Sequence, residues 1–286
     1  MNEIIVNARA KINLGLDVIR RREDGYHDLR MIMQTLKLHD VLNIKKTEGK
    51  ETTLSINTDC LSAGPDNLVC KAASLFLQEE GIESGLEISL IKNIPMAAGL
   101  AGGSADAAAV LRGLNELFDC GLSDRELRKM GVKIGADVPY CLMGGTALAE
   151  GIGEILTPLK EAPGLFAVLA KPSADISTGY VYGHLNIPAL KSHPDIDGQI
   201  EAIRNGDIRK LTDKMENVLE TVTIPACPVI ADIKKRMIEL GAAGSMMSGS
   251  GPTVFGLFET EEAAGNCAER LKKEMPDLTV ILTAFD

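Results

Sequence analysis

The sequence predicts a two-domain α+β fold, and three observations predict it. The chain has 286 residues, more than one ordinary core accommodates. Its N-terminal stretch reads as successive strands before any helix. Its second half follows the order helix, glycine block, strand, helix, strand, which suits an α+β layer of its own. A soft boundary falls near residue 160, giving domains 1–160 and 161–286.

Residues 3–9 and 11–20 read as two strands. The second alternates Ile12, Leu14, Leu16 and Val18 against Asn13, Gly15, Asp17 and Ile19. The run Arg20-Arg21-Arg22-Glu23-Asp24-Gly25 is a charged turn closed by Asp-Gly. Residues 31–36, 41–46 and 52–57 read as three more strands. Asp66-Asn67 opens a helix to about residue 80, with Leu68, Ala72, Leu75 and Phe76 at helical spacing and Gly81 after it. A strand at 86–92 leads into a glycine-rich loop. A helix follows from Ser104 to about residue 119, its face marked by Ala107, Val110, Leu111 and Leu114. Ser123 and Glu126 form a capping box for a helix ending at Ile134, and Gly135-Ala136-Asp137-Val138-Pro139 breaks it. Strands are expected at 144–150 and 165–171, then helices at 178–184, 199–205, 208–216 and 229–240. A glycine block at 241–251, a strand at 253–258, a helix at 261–273 and a strand at 279–284 complete the order.

Hydrophobic residues make up 45% and charged residues 24%, the balance of a globular chain with a packed core. Aromatics are 3% with no Trp, so the core rests on Leu, Ile, Val, Ala and Met. The net charge of -10 argues against non-specific binding to nucleic acid or anionic membrane, but not against an anionic substrate. Cysteines stand at 60, 70, 120, 141, 227 and 267 with no Cys-x-x-Cys pair, and His39, His184 and His193 show no metal spacing. The cysteines read as small buried apolar residues in a reducing compartment. The N-terminus does not read as a signal peptide, and no window approaches ~18 uninterrupted apolar residues. The expected location is cytoplasmic.

The loop Pro95-Met96-Ala97-Ala98-Gly99-Leu100-Ala101-Gly102-Gly103-Ser104-Ala105 joins a strand to an alanine-rich helix. Gly99, Gly102 and Gly103 are expected to supply positive φ, and Ser104 to cap the helix or sit in its first turn. A helix N-terminus receives anions, so the loop reads as a phosphate cradle or, equally, as a turn packed between strand and helix. It carries neither the Gly-Lys-Ser/Thr of a Walker loop nor G-x-G-x-x-G. Any lysine serving the phosphates must come from elsewhere. Lys11, inside an apolar strand, either finds a partner or reaches solvent. Asp137, at a helix break, reads either as the cap of the next helix or as a general base kept ionised by a nearby cation. Ser248-Gly249-Ser250-Gly251-Pro252 reads as a second backbone nest or a tight strand-entry turn. Tyr26-His27 reads as a stacking pair for a base or as two surface residues of a hairpin.

Three of these blocks together resemble the galactokinase–homoserine kinase–mevalonate kinase–phosphomevalonate kinase (GHMP kinase) superfamily. They are Ala8-Arg9-Ala10-Lys11-Ile12-Asn13-Leu14, residues 95–109, and Met247-Ser248-Gly249-Ser250-Gly251-Pro252-Thr253. Residues 24–29, 135–139 and 151–154 resemble the branch acting in the non-mevalonate isoprenoid route. The resemblance implies a ribosomal-S5-like N-terminal domain, a ferredoxin-like C-terminal domain and an active site in the cleft between them. It implies ATP-dependent phosphorylation of a hydroxyl on a cytidine-diphosphate-linked sugar alcohol, with Mg²⁺ accompanying ATP and no metal ligands assigned. By the same resemblance Asp137 is the base and Lys11 its partner. Residues 95–105 wrap the triphosphate, with Asn67 near the adenine. Tyr26 and His27 hold the cytosine, Tyr182 gives a second stacking face, and Asn13, Ser248, Gly249 and Ser250 lie on the substrate side. Homoserine and mevalonate kinases are the alternatives within the superfamily, and a nucleotide-binding module without turnover is the alternative outside it. Two features depart from the pattern. Ala97, Ala98 and Ala101 stand where glycines are common and are expected to keep ordinary dihedrals. Asp106 lies beside the phosphates, where it either points away, serves the helix dipole or takes part in metal binding.

Overall fold

The structure, a computed structural model, describes residues 1–286. Strand β1 (Glu3–Arg21) is continuous where two strands were expected, because nothing at Ala10-Lys11 breaks an extended chain. Strand β2 (His27–Thr47) likewise joins two expected strands. The polar stretch Lys37-Leu38-His39-Asp40 stays extended, with Asp40 fully buried. Then come β3 (Thr52–Ile56), α1 (Leu68–Glu79), β4 (Gly85–Ile91), α2 (Gly102–Leu117), α3 (Asp124–Val132), α4 (Val138–Met143) and β5 (Thr146–Gly151). Strand β6 (Ile155–Pro158), unforeseen in the sequence, precedes β7 (Phe166–Lys171) and α5 (Thr178–His184). A single 3₁₀ turn at Ile187–Ala189 leads to α6 (Ile196–Asn205), α7 (Ile208–Asp213), α8 (Glu220–Ala226) and α9 (Val229–Glu239). The chain closes with β8 (Gly244–Met247), β9 (Val254–Phe258), α10 (Glu261–Glu274) and β10 (Thr279–Ala284). The turn at 187–189, α8 and β8 were also unforeseen. No helix is long and apolar enough to cross a membrane.

The chain divides into two compact units. One comprises Met1–Ala10, Leu38–Ile94 and Ala101–Gly144, the other Lys11–Lys37, Pro95–Leu100 and Gly145–Asp286. In the first, β4 pairs antiparallel with the end of β2 and parallel with β3. Ile4, Leu42, Ile44, Leu86 and Ile88 pack against Val69 and Phe76 of α1 and against α2. Residues 105–111 of α2 are buried all round, which its run of alanines permits by letting neighbours approach closely. The capping box of α3 forms as expected, Ser123 and Glu126 each bonding the other's backbone.

In the second unit, β5 pairs antiparallel with β2 (Leu29 opposite Gly151) and with β6. A separate antiparallel sheet has the order β10-β7-β9-β8. Helices α9 and α10 pack on its strands. Taken as β7, α9, β8, β9, α10 and β10, it has the β-α-β-β-α-β order of a ferredoxin-like layer, with α5 to α8 inserted after the first strand. Its core is aliphatic and phenylalanine-based: Val168, Leu169, Met246, Phe255, Leu257 and Phe258 are buried.

Candidate functional site

The expected alternation of β1 holds on one face only. Ile12, Leu14, Leu16 and Val18 are buried, but so are Lys11, Asn13 and Asp17. Buried polar groups need partners, and each of these has one. Lys11 Nζ donates to Asn13 Oδ1 at 2.9 Å, and Asn13 Nδ2 points to Met31 Sδ at 3.2 Å. Asp17 accepts from His193 Nδ1 at 2.8 Å. Lys11 is 5% exposed, so the solvated-lysine alternative is set aside.

The glycine-rich loop corrects its own sequence reading. Gly102 and Gly103 lie inside α2, whereas positive φ falls at Ala97 (48°), Gly99 (72°) and Ala101 (56°). Ala98 alone of the three alanines is ordinary. The reason at Gly99 is space: a Cβ there would stand 2.1 Å from the Ser248 carbonyl oxygen. Ala101, in left-handed conformation, is the N-cap of α2, with no side-chain capping bond, so Ser104 does not cap this helix. Three successive carbonyls of the loop are engaged by the protein. Gly99 O accepts from Ser248 Oγ (2.9 Å), Leu100 O from Lys11 N–H (3.1 Å) and Ala101 O from Ala105 N–H (2.8 Å).

Around this loop the second unit gathers Lys11 and the Ser248–Gly251 block. Gly249 and Gly251 have φ of 55° and 84°, and a Cβ on Gly249 would lie 3.1 Å from Gly99 O and 3.5 Å from Lys11 Nζ. Ser250 Oγ bonds Thr178 Oγ1 at 2.9 Å. The side chains of Ser248 and Ser250 are thus turned to protein partners. Asn217, which no motif marked, holds the block: its Nδ2 donates to the carbonyls of Met247 (2.9 Å) and Gly249 (2.8 Å). Tyr182, on α5, meets His27 with ring centroids 5.3 Å apart, while Tyr26 is 59% exposed and its backbone closes the β1–β2 turn. Burial and the neighbouring Arg21 hold the His27 imidazole below its usual range, favouring the neutral ring.

In the first unit the start of α2 adjoins the Asp137 segment. A Cβ on Gly135 would lie 4.0 Å from Ser104 Oγ. Asp137 takes the N-cap position of α4 but makes no side-chain capping bond, so capping does not explain an acid there. Asn67 caps α1: its Oδ1 accepts from Val69 N–H at 2.9 Å and its Nδ2 donates to Ser62 O at 2.7 Å. Asp106 is 1% exposed, with its Oδ2 accepting from Lys92 Nζ at 2.7 Å. No group of three or more His, Cys, Asp or Glu side chains is placed to hold a metal. Mg²⁺ with a nucleotide does not require one, since it takes one or two protein ligands beside phosphate oxygens and water.

Two family models match the chain: the GHMP kinases N terminal domain over residues 67–145 and the GHMP kinases C terminal over residues 199–277. The chain is 52% identical over 274 residues to a 4-diphosphocytidyl-2-C-methyl-D-erythritol kinase of Lachnospira eligens, covering 96% of this chain and 95% of that one. It is 49% identical over 276 residues to the enzyme of that name from Acetivibrio thermocellus, covering 95% and 96%. Its structure resembles a crystal structure of 4-(cytidine 5'-diphospho)-2C-methyl-D-erythritol kinase with a TM-score of 0.84, at 34% identity over 99% of both chains. The homoserine kinase of Cytophaga hutchinsonii shares the fold, with a TM-score of 0.81 at 21% identity over 100% and 95% of the two chains. By these full-length relatives and both family models, the chain belongs to the 4-diphosphocytidyl-2-C-methyl-D-erythritol kinase family of the GHMP kinases.

Proposed function

We propose that the chain transfers the γ-phosphoryl group of ATP to the 2-hydroxyl of 4-diphosphocytidyl-2-C-methyl-D-erythritol, releasing ADP, in the non-mevalonate isoprenoid route. The observation that carries this reading is the polarity of the phosphate loop. The carbonyls of Gly99, Leu100 and Ala101 are all taken by protein donors, and α2 begins without a side-chain cap. Such a segment has N–H groups and a helix dipole to give, which suits an anion. Residues 95–105 serve as the triphosphate cradle, with the adenine near Asn67.

Asp137 accepts the proton of the acceptor hydroxyl as its oxygen bonds to the γ-phosphorus. The β,γ-bridging oxygen leaves with ADP. Lys11 is the cation that serves this step, held by Asn13 in a buried setting where charge acts strongly. Mg²⁺, when bound with ATP, neutralises charge on the phosphate oxygens. The His27–Tyr182 ring pair and Tyr26 bind the cytosine, and the Ser248–Ser250 block supports the substrate side through its backbone. The boundary near residue 160 falls between the two segments matched by the family models, and we retain it as the domain division, with a cytoplasmic location. An ADP-release assay tests the reading. The cytidine-diphosphate-linked sugar alcohol should be turned over in preference to homoserine or mevalonate. Release with either of the latter, and none with the former, refutes it.

A further inference from the structure

One buried polar cluster is not absorbed by this function. Asp40 on β2 is fully buried, and Asp106 in the first turns of α2 is 1% exposed. Between them lies Lys92, at the end of β4, whose Nζ donates to Asp40 Oδ2 and to Asp106 Oδ2. Two buried carboxylates therefore share one cation. Asp40 Oδ1 also accepts from the amides of Asn93 (2.5 Å) and Ile94 (2.8 Å), the residues just before Pro95. The far end of the loop meets the same cluster. A Cβ on Gly102 would lie 3.3 Å from Lys92 Nζ and 3.1 Å from Ile94 Cγ2. The two stems of the segment 95–101 thus touch each other and one ion cluster. Asp106 Oδ1 is buried with no hydrogen-bond partner.

We propose that Asp40, Lys92 and Asp106 clamp the two ends of the phosphate loop, and that the charge state of Asp106 sets how strongly the first turn of α2 attracts the triphosphate. Asp106 is a positioning residue that acts through α2 and Lys92. With Asp106 neutral, Lys92 and Asp40 cancel. With Asp106 ionised, the cluster carries one net negative charge beneath the helix end that receives phosphate, opposing the dipole. Burial, and to a smaller degree the Asp40 carboxylate, push the Asp106 carboxyl up to about 7 against the pull of Lys92. The charged groups acting on it come from β2 and β4. The neighbouring helices turn apolar residues inward: Val69, Ala72 and Phe76 on α1, Leu127 and Met130 on α3, Val138 and Leu142 on α4. Asp137, at the N-cap of α4, follows the Gly135 segment that adjoins Ser104, and Asp137→Asn serves as a control.

The proposal rests on the kinase reading, so the test uses binding rather than turnover. Affinity of the full chain for a non-hydrolysable ATP analogue is measured by calorimetry from roughly pH 6 to roughly pH 8.5. The parent should weaken by about three- to tenfold more than Asp106→Asn, in which that excess pH dependence is absent. The analogue's own ionisation is common to both proteins and cancels in the ratio. Equal slopes overturn the proposal, whereas a parent that binds no analogue at any pH overturns the kinase reading instead. Should Asp106→Asn fold poorly in a thermal melt, the unaltered chain still decides. The carboxyl carbon resonance of Asp106 should shift its titration upward when the analogue binds, and an unmoved titration refutes the coupling.

Discussion

Ala101→Gly and Gly99→Ala should change stability in opposite directions, although both exchange the same two residues within one loop. Ala101 has φ 56° at the N-cap of α2. An L-residue in this region is strained by about 1–2 kcal/mol, which glycine avoids. Glycine also frees the unfolded chain, which offsets about 0.5–1 kcal/mol of that gain. Ala101→Gly should therefore stabilise by about 0.5–1 kcal/mol. At this chain length that raises the melting temperature by only a degree or two, roughly. Gly99 has φ 72°, and an added Cβ would stand 2.1 Å from the Ser248 carbonyl oxygen and 3.2 Å from Gly251 N. Both contacts are backbone atoms, which cannot rotate away. Strain and overlap together predict a loss of about 3 kcal/mol or more for Gly99→Ala. Urea unfolding followed by circular dichroism measures both. A destabilised Ala101→Gly would refute the assignment of strain to Ala101, and a Gly99→Ala variant as stable as the parent would refute the close approach of the Ser248 block.

Other outcomes follow from the same geometry. Asp137→Asn should leave nucleotide binding nearly intact and lower turnover by about 10²–10⁴-fold in a coupled ADP-release assay; near-normal turnover removes Asp137 from the base role. Tyr182→Ala deletes the ring facing His27, and should raise KM for the cytidine-bearing substrate while leaving KM for ATP unchanged. Asn217→Ala leaves the carbonyls of Met247 and Gly249 without their buried donor, and should destabilise by about 1–3 kcal/mol in urea titration. The raised Asp106 carboxyl means the folded chain holds a proton that the unfolded chain releases near its ordinary value. Its contribution is thus most favourable at low pH and declines as pH rises from about 4 to about 7, by about 2–4 kcal/mol in all. Asp106→Asn should abolish that decline in pH-dependent unfolding.

Periodicity and caps made most elements legible. Asn67 before α1, the Ser123–Glu126 box before α3 and the β9–α10 region followed from local rules, because the residues that set those ends lie within a turn of them. Boundaries inside β1 and β2 did not. The breaks expected at residue 10 and across residues 37–40 adjoin or contain charged residues, Lys11 and Asp40, yet each is buried with a partner, Asn13 for one and the distant Lys92 for the other. A partner that far along the chain leaves no spacing signal. Asn217 was hidden for the same reason: it acts on carbonyls at Met247 and Gly249, and its own neighbours form no motif.

The phosphate loop shows why glycine count misplaced the turn. Counting assigns positive φ to residues that tolerate it. The chain instead assigns it to positions where outside contacts demand it, and Gly102 and Gly103 fall within a helix whose start is fixed from below by Lys92. Gly99 alone is glycine by necessity, because its α-hydrogen faces a carbonyl oxygen. Ala97 and Ala101 take left-handed φ because the segment between them must return its carbonyls to Ser248 and Lys11. The strain at those alanines is thus sustained by hydrogen bonds at Gly99 and Leu100. Removing the Ser248 hydroxyl should therefore loosen the loop yet cost less stability than losing one buried hydrogen bond ordinarily does, because the relaxing loop recovers part of the stored backbone strain. Ser248→Ala in an Ala97→Gly, Ala101→Gly background, where little strain remains to recover, should destabilise more than Ser248→Ala in the parent, and additivity of the three substitutions in urea unfolding would refute that coupling.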